Sequence, residues 1–194
     1  MDNEGKRSAD LARVLIDRET IARRVREIAG KIDRDYAGSP KPLLLVGVLK
    51  GAFLFLADLC RELTVPHVVD FIAVSSYGAT VETSGNVRLL MDTRENQEGR
   101  DVLIVEDIVD SGYTLGFLER LFRTRGARSV RSCVLLDKPS RRVAEVDIAY
   151  KGFEVPDVWV VGYGLDAGER HRTLPFIAEF RPEKKIVGEG EKGD

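Results

Sequence analysis

The chain has 194 residues, 43% of them apolar and 32% charged, with a formal net charge of -2. That length suits one well-packed domain with little room for a second, and the apolar share is too high for a disordered chain. The balanced charge argues against a surface built to hold duplex nucleic acid, and the longest apolar stretch, Leu43 to Leu49, is far too short to span a bilayer.

Residues 1–10 are polar and acidic and lack the apolar core of a signal peptide. Residues 11–17 fit a helix or a short strand equally. From Asp17 to Tyr36, Ile21, Val25, Ile28 and Ile32 recur at helical spacing, with Asp17 placed to cap the start and Gly38-Ser39-Pro40 to end the run. The apolar segment PLLLVGVLKG predicts a strand stopping at Lys50-Gly51. AFLFLADLCREL predicts a helix, and HVVDFIAVSSYG a second strand. Residues 78–86 are small, hydroxylic and acidic, the composition of an exposed loop or hairpin tip. VRLLMD and DVLIVED predict strands, Thr114 to Arg125 a helix closed by Gly126, and SVRSCVLLD, VDIAY and DVWVVGYG the remaining strands. From Pro182 the composition is nearly devoid of apolar residues, so residues 182–194 are expected to form a flexible tail after a single domain spanning 1–181.

Cys60 and Cys133 both sit in apolar surroundings and cannot build a disulfide framework, which points to a reducing, cytoplasmic address. Strands that are almost continuous Val, Leu and Ile are buried on both faces, so the expected fold is α/β, a parallel-dominated sheet flanked by helices. In such sheets ligands bind beyond the carboxyl ends of the strands.

The unusual residues stand at one such end. Val102 to Val105 form an aliphatic strand that stops at two adjacent carboxylates, Glu106 and Asp107. Asp110, Ser111, Gly112, Tyr113 and Thr114 then lead into a helix. Glycine turns backbone amides inward, Ser and Thr add hydroxyl donors, and a helix start adds partial positive charge, which together make a cradle for a phosphate monoester. Acidic groups one strand-end away suit sugar hydroxyls. Phosphate at one end and a diol at the other describes a ribose 5-phosphate. The competing account makes Asp110 and Ser111 a helix cap and Glu106-Asp107 an ion-paired strand end, but crowded carboxylates are costly without cations or ligands nearby. No Gly-x-x-x-x-Gly-Lys-Ser/Thr loop is present. The loose dinucleotide fingerprint at Gly162 to Ala167 lies too near the C-terminus for a βαβ unit with a later acid.

The segment VEDIVDSGYTL closely resembles the phosphoribosyl-pyrophosphate signature of the type I phosphoribosyltransferases, more narrowly their hypoxanthine-guanine branch. The likeness runs from Ile16 to Phe180 through VGVLKGAF, VSSYG, LLDKPSRR and VPDVWVVGYGLDAGERHRTLP, in the family's order. It implies the type I fold with a small C-terminal hood, and a cis peptide between Leu49 and Lys50.

It also implies roles. The loop from Asp110 through Ser111, Gly112 and Tyr113 to Thr114 holds the 5-phosphate, and Glu106 and Asp107 face the ribose hydroxyls. Asp110 is the base near purine nitrogen 7, a task suited to a carboxylate whose pKa is raised by acidic neighbours. Lys50, Gly51 and Arg172 meet the pyrophosphate; chemistry alone equally allows Lys50 merely to close a strand. Lys138 reads the 6-oxo group, since an ammonium only donates and clashes with the amino group of adenine; without the resemblance it is a surface lysine in a turn. Trp159 stacks on the purine, where pattern alone favours a core tryptophan, and the Val160 backbone meets the purine edge. Asp166 touches the purine side and, with Glu106 and Asp107, the magnesium. The family more often has a bulky residue where Ala167 follows Asp166. Ser75, Ser76, Tyr77 and Gly78 belong to a lid that closes over the reaction.

The resemblance therefore predicts magnesium-dependent transfer of phosphoribose from 5-phosphoribosyl-1-pyrophosphate to hypoxanthine or guanine, giving IMP or GMP and pyrophosphate. Its partners are these small molecules, with no nucleic acid and no membrane, in a homodimer or homotetramer. The rivals are a sister transferase preferring xanthine and an RNA-binding regulator on the same fold.

Overall fold

The computed structural model describes residues 10–76 and 87–181. Its frame is a six-stranded sheet in the order β4-β3-β2-β5-β6-β7, comprising β2 (Leu43–Leu49), β3 (His67–Ser76), β4 (Val87–Met91), β5 (Asp101–Val109), β6 (Ser129–Asp137) and β7 (Tyr150–Glu154). All neighbours run parallel except the β3–β4 pair. Helices α1 (Arg18–Tyr36) and α2 (Phe53–Glu62) cover one face, and α3 (Tyr113–Thr124) covers the other.

The aliphatic strands feed two cores at once. In β2, Leu43 and Leu45 pack with Ile21, Val25 and Ile28 of α1 and Phe55 and Leu59 of α2. Leu44, Val46 and Val48 pack with Leu115, Leu118 and Phe122 of α3. Period-two alternation with both faces covered is why β2 carries no polar side chain and β5 none from Val102 to Val105, up to the acids of the site.

Helix α1 lies where its periodicity predicts, and the Asp17 carboxylate caps it by accepting the Thr20 amide at 2.7 Å. Residues 11–17, open between helix and strand, contain β1 (Leu11–Ile16). It pairs antiparallel with β9 (Ile177–Phe180), which also pairs with the two-residue β8 (Val160–Val161), and these three strands make the hood. The hood therefore draws on both ends of the described chain. Strand β9 was not expected.

The strand predicted over VDIAY instead begins at Tyr150. Val146 and Ile148 still pack against the α3-side core, but the Ser132 hydroxyl donates to the Asp147 carbonyl at 2.9 Å, taking that group out of a ladder. Gly152 lies inside β7 because a Cβ there would fall 2.2 Å from the Leu135 carbonyl oxygen. The outer edge of β7 is covered by Arg24, which donates to the carbonyls of Gly152 at 3.0 Å and Lys151 at 2.8 Å. DVWVVGYG yields only β8, since Gly162 (φ 99) and Gly164 (φ 104) leave the β region.

The expected loop over 78–86 and the tail over 182–194 lie outside the described residues. Among the described residues no helix is long and apolar enough to cross a membrane.

Candidate active site

The site forms where β5 runs out of aliphatic residues. Alternation continues past Val105 and sends Glu106 and Asp107 to opposite faces of the strand end. Glu106 is buried, and its Oε2 has no hydrogen-bond partner among the described residues. Burial, reinforced by the charge of Asp107, holds the Glu106 carboxyl well above the usual carboxylate range. Burial also pushes Asp107 up to about 6. The amides of Ile108 and of Asp107 itself, together with Arg172, oppose that rise, and Asp110 adds to it. A buried acid with an unpartnered oxygen beside a second, raised acid fits a ligand that brings donors or positive charge.

Beyond them the chain turns through Asp110 and Ser111 to Gly112, which is left-handed (φ 87) at the start of α3. A Cβ on Gly112 would fall 2.8 Å from the Ala144 carbonyl oxygen, so only glycine fits both the turn and the neighbouring chain. No side chain caps α3, whose first backbone bond runs from the Gly116 amide to the Gly112 carbonyl at 3.0 Å. The amides ahead of it are those a helix start leaves for an anion. The Ser111 hydroxyl sits 3.5 Å from the Tyr113 amide, at the edge of hydrogen-bond range, and Thr114 lies one residue further into the first turn.

A second segment clamps this loop from behind. The Ser111 carbonyl accepts the Val143 amide at 3.0 Å and the Ala144 amide at 2.8 Å. Arg142 Nε donates to the Asp110 carbonyl at 3.1 Å, and its guanidinium also pairs with buried Asp137. Arg142 and Asp137 were not singled out from sequence. The acid ending β6 just before Lys138 is the signal that marks them.

Three chain segments meet at two glycines. A Cβ on Gly51 would fall 1.6 Å from Asp107 Oδ2, and a Cβ on Gly164 would fall 1.9 Å from the Gly51 carbonyl oxygen. The loop after β2, which contains the cis Leu49–Lys50 peptide, is thus pressed between the acidic strand end and the hood. Across it, Lys50 Nζ lies 2.8 Å from Glu169 Oε1. Arg172 reaches Glu169 Oε2 at 3.2 Å, Asp166 Oδ1 at 2.8 Å and the Gly164 carbonyl at 2.8 Å. Glu169 was also missed by sequence reading, and only its distant partners reveal it.

On the other side of the cleft, Lys138 is buried, with Nζ 3.6 Å from Asp110 Oδ1. The Asp110 side chain is half-exposed and faces this ammonium, while its charge adds to the rise of Asp107, whose own charge adds to the rise of Glu106. Trp159 is no core residue. It is 54% exposed, packed edge-on to Phe180 at 5.0 Å, with Nε1 3.4 Å from the Asp166 carbonyl. Val160 beside it is buried and paired with Glu179. Ala167, at the position where the family more often has a bulky side chain, is buried against Val161 and Phe180 of the hood.

Glu106 and Asp107 follow one another at the end of β5, and Asp166 does not join them in a three-carboxylate cluster. Its Oδ1 is held by Arg172 and its Oδ2 accepts the Glu169 amide at 2.7 Å. Among the described residues no group of three or more His, Cys, Asp or Glu is placed to hold a metal. Ser75 and Ser76 end β3, paired with Arg88 and Val87, while Tyr77 and Gly78 lie outside the described residues.

The model of the phosphoribosyl transferase domain matches residues 15–167. The chain is 46% identical over 166 residues to the hypoxanthine phosphoribosyltransferase of Salmonella typhimurium, covering 86% of this chain and 93% of that protein. It is 49% identical over 177 residues to the hypoxanthine-guanine phosphoribosyltransferase of Mycobacterium tuberculosis, covering 89% and 88% respectively. A solved structure of hypoxanthine phosphoribosyltransferase from Trypanosoma cruzi superposes with a TM-score of 0.86 at 42% identity, covering 92% of this chain and 95% of that one. With a cradle of loop amides beside Glu106 and Asp107, on a sheet shared with these proteins, the chain belongs to the phosphoribosyltransferase family, on its hypoxanthine-guanine branch.

Proposed function

We propose that this chain transfers phosphoribose from 5-phosphoribosyl-1-pyrophosphate to hypoxanthine or guanine, releasing pyrophosphate. The observation that carries the reading is the 3.6 Å approach of Lys138 to Asp110 at the lip of the phosphate cradle, since it supports a donor for a 6-oxo group beside an acceptor for a ring proton.

In this reading the loop from Asp110 to Thr114 receives the 5-phosphate, and Glu106 and Asp107 receive the ribose hydroxyls. Lys50, the Gly51 amide and Arg172 receive the pyrophosphate. The purine slides between exposed Trp159 and the cleft floor, with its 6-oxo group at Lys138 and its edge against the Val160 backbone. As purine nitrogen 9 bonds to ribose carbon 1, the pyrophosphate leaves with the bonding pair and Asp110 takes the proton from nitrogen 7. Ser75 and Ser76 carry the start of a lid that keeps water from the electron-poor sugar.

Magnesium fits these residues. Glu106 and Asp107 offer hard oxygen donors, and the orphaned Glu106 Oε2 gains a partner when a cation is near. Glu106 and Asp107 would hold such a cation as an open carboxylate pair rather than a closed cage, with Asp166 as a further acidic contributor. When bound, it supplies charge neutralisation on the leaving pyrophosphate.

Residues 1–181 act as one domain in this proposal, supported by hood and sheet meeting at Gly164 and Gly51. A cytoplasmic homodimer or homotetramer is proposed as well. The exposed apolar side chains of Val69 and Phe71 on one face of β3 support an interface between copies. The test is a product assay with the magnesium-loaded sugar donor and hypoxanthine, guanine, xanthine or adenine. IMP and GMP formation well above the adenine product is expected. A sole xanthine product would select the sister transferase, and no nucleotide at all would refute the proposal.

A further inference from the structure

The two cations assigned to the pyrophosphate, Lys50 and Arg172, lie on loops 122 residues apart in sequence, and neither is free in the structure. One carboxylate joins them. Glu169 Oε1 is 2.8 Å from Lys50 Nζ, and Glu169 Oε2 is 3.2 Å from Arg172 Nη2 and 3.3 Å from Arg172 Nε. A two-oxygen anion spanning a lysine and an arginine copies the charge and spacing of a phosphate edge.

The loop is shaped to hold it there. Glu169 is a non-glycine residue at φ 64, a conformation uncommon for a residue with a side chain, and its amide is fixed by Asp166 Oδ2 at 2.7 Å. Gly168 before it, at φ 59, has no atom within contact of a would-be Cβ, so the turn lies open to solvent. The Glu169 side chain is 63% exposed. Among the described residues, Lys50 and Arg172 are the side chains that hold this exposed carboxylate.

Resting on the functional reading above, we propose that Glu169 is an internal stand-in for pyrophosphate, occupying Lys50 and Arg172 until the substrate displaces it. The displacement makes physical sense. Pyrophosphate carries several charges where Glu169 carries one, and exposed ion pairs of this kind are weak enough to exchange. While the site is empty, the bridge keeps Lys50 turned toward Arg172, which Asp166 Oδ1 and the Gly164 carbonyl also hold at 2.8 Å each, and ties the hood to the loop after β2. Once pyrophosphate enters, Glu169 swings to solvent through the open turn. Its cost is a weaker apparent affinity for the diphosphate group alone. Among the described residues, no hydrogen bond or ion pair links the 5-phosphate cradle at Asp110 to Thr114 with these three side chains.

The test is calorimetry on the full chain, wild type and Glu169→Gln, titrated separately with magnesium pyrophosphate and with GMP. Glu169→Gln is expected to bind magnesium pyrophosphate on the order of 3- to 10-fold tighter than wild type, the range set by releasing one exposed ion pair to Lys50 and one half-exposed pair to Arg172. GMP affinity is expected to stay within about twofold, because its phosphate lies in the other cradle. Glu169→Ala is expected to match Glu169→Gln, and both gains should shrink at high salt. If wild type binds GMP but both variants bind pyrophosphate no tighter, or more weakly, Glu169 orients the cations instead and the proposal is overturned. If wild type binds neither ligand, the functional reading fails and the stand-in role fails with it.

Discussion

Gly51 lies so close to Asp107 that an added methyl group would fall 1.6 Å from Oδ2. The loop that follows β2 is thereby seated against the acidic end of β5, and Gly164 packs its own missing side chain against the Gly51 carbonyl. The Asp107 carboxylate, the Gly51 backbone and the Gly164 backbone are stacked within the width of glycine.

Gly51→Ala should therefore separate binding from folding. The methyl forces the Asp107 carboxylate or the loop to move, at about 1–3 kcal/mol of overpacking. The melting temperature should fall by several degrees, and sugar-donor binding should be lost at concentrations that saturate wild type. Gly164→Ala meets backbone at 1.9 Å from a φ of 104 and should be the more destabilising of the two.

Asp110→Asn keeps the shape of the loop and the bond its backbone carbonyl accepts from Arg142, but removes the proton acceptor. Turnover should drop by roughly 10²–10⁴-fold, the range of general-base catalysis, with little change in KM for either substrate. Steady-state rates at saturating substrate check this.

Lys138→Met removes a donor from a buried position without adding volume. Losing one charged hydrogen bond should raise KM for hypoxanthine on the order of 10- to 100-fold and narrow the margin against adenine. Parallel assays with both bases give that ratio.

The pH dependence of stability follows from Asp107. Its pKa rises from 3.8 to about 6 in the folded chain, chiefly through burial, so between those values the folded state holds a proton the unfolded state has lost. The contribution is complete below about pH 4 and disappears as pH rises through about 6, a loss on the order of 2–3 kcal/mol. Melting of the ligand-free chain should show this as lower stability at pH 7 than at pH 5. Asp107→Asn should flatten that slope and raise the melting temperature at pH 7, while losing ribose binding.

At the opposite end of β5, Asp101 has the reverse sign. Burial raises its pKa, but Ser129 at 2.6 Å, Arg128 and Ser39 at 2.9 Å outweigh this and hold it below the usual range. Its stabilisation is present at neutral pH and lost as pH falls through the carboxylate range. Asp101→Ala should lower unfolding free energy by about 1–3 kcal/mol in denaturant titrations and leave KM values unchanged, since it sits a full strand from the cleft.

What the sequence made legible is what local physics determines. Helix α1 follows from apolar spacing and the Asp17 cap, and β2 and β5 follow from aliphatic runs buried on both faces. The Asp110–Thr114 cradle follows from hydroxyls and glycine between a strand and a helix. The hood was not legible. Strand β8 has two residues, β9 four, and β1 finds its partner across almost the whole chain, so no periodicity window contains them. Glu169 reads as an ordinary loop acid until the fold carries Lys50, 119 residues away, to within 2.8 Å. Trp159 reads as core from its aliphatic neighbours, yet two-residue β8 begins only after it and leaves the ring facing solvent.

The central claim is that the turn from Asp110 to Thr114 grips a sugar's phosphate. Calorimetry of the full chain with GMP and, separately, with guanosine isolates that grip. The account predicts saturable binding of GMP at least about 10-fold tighter than guanosine, the margin expected of charge-assisted bonds to loop amides. Equal affinities, or no heat with GMP from well-folded protein, would contradict it.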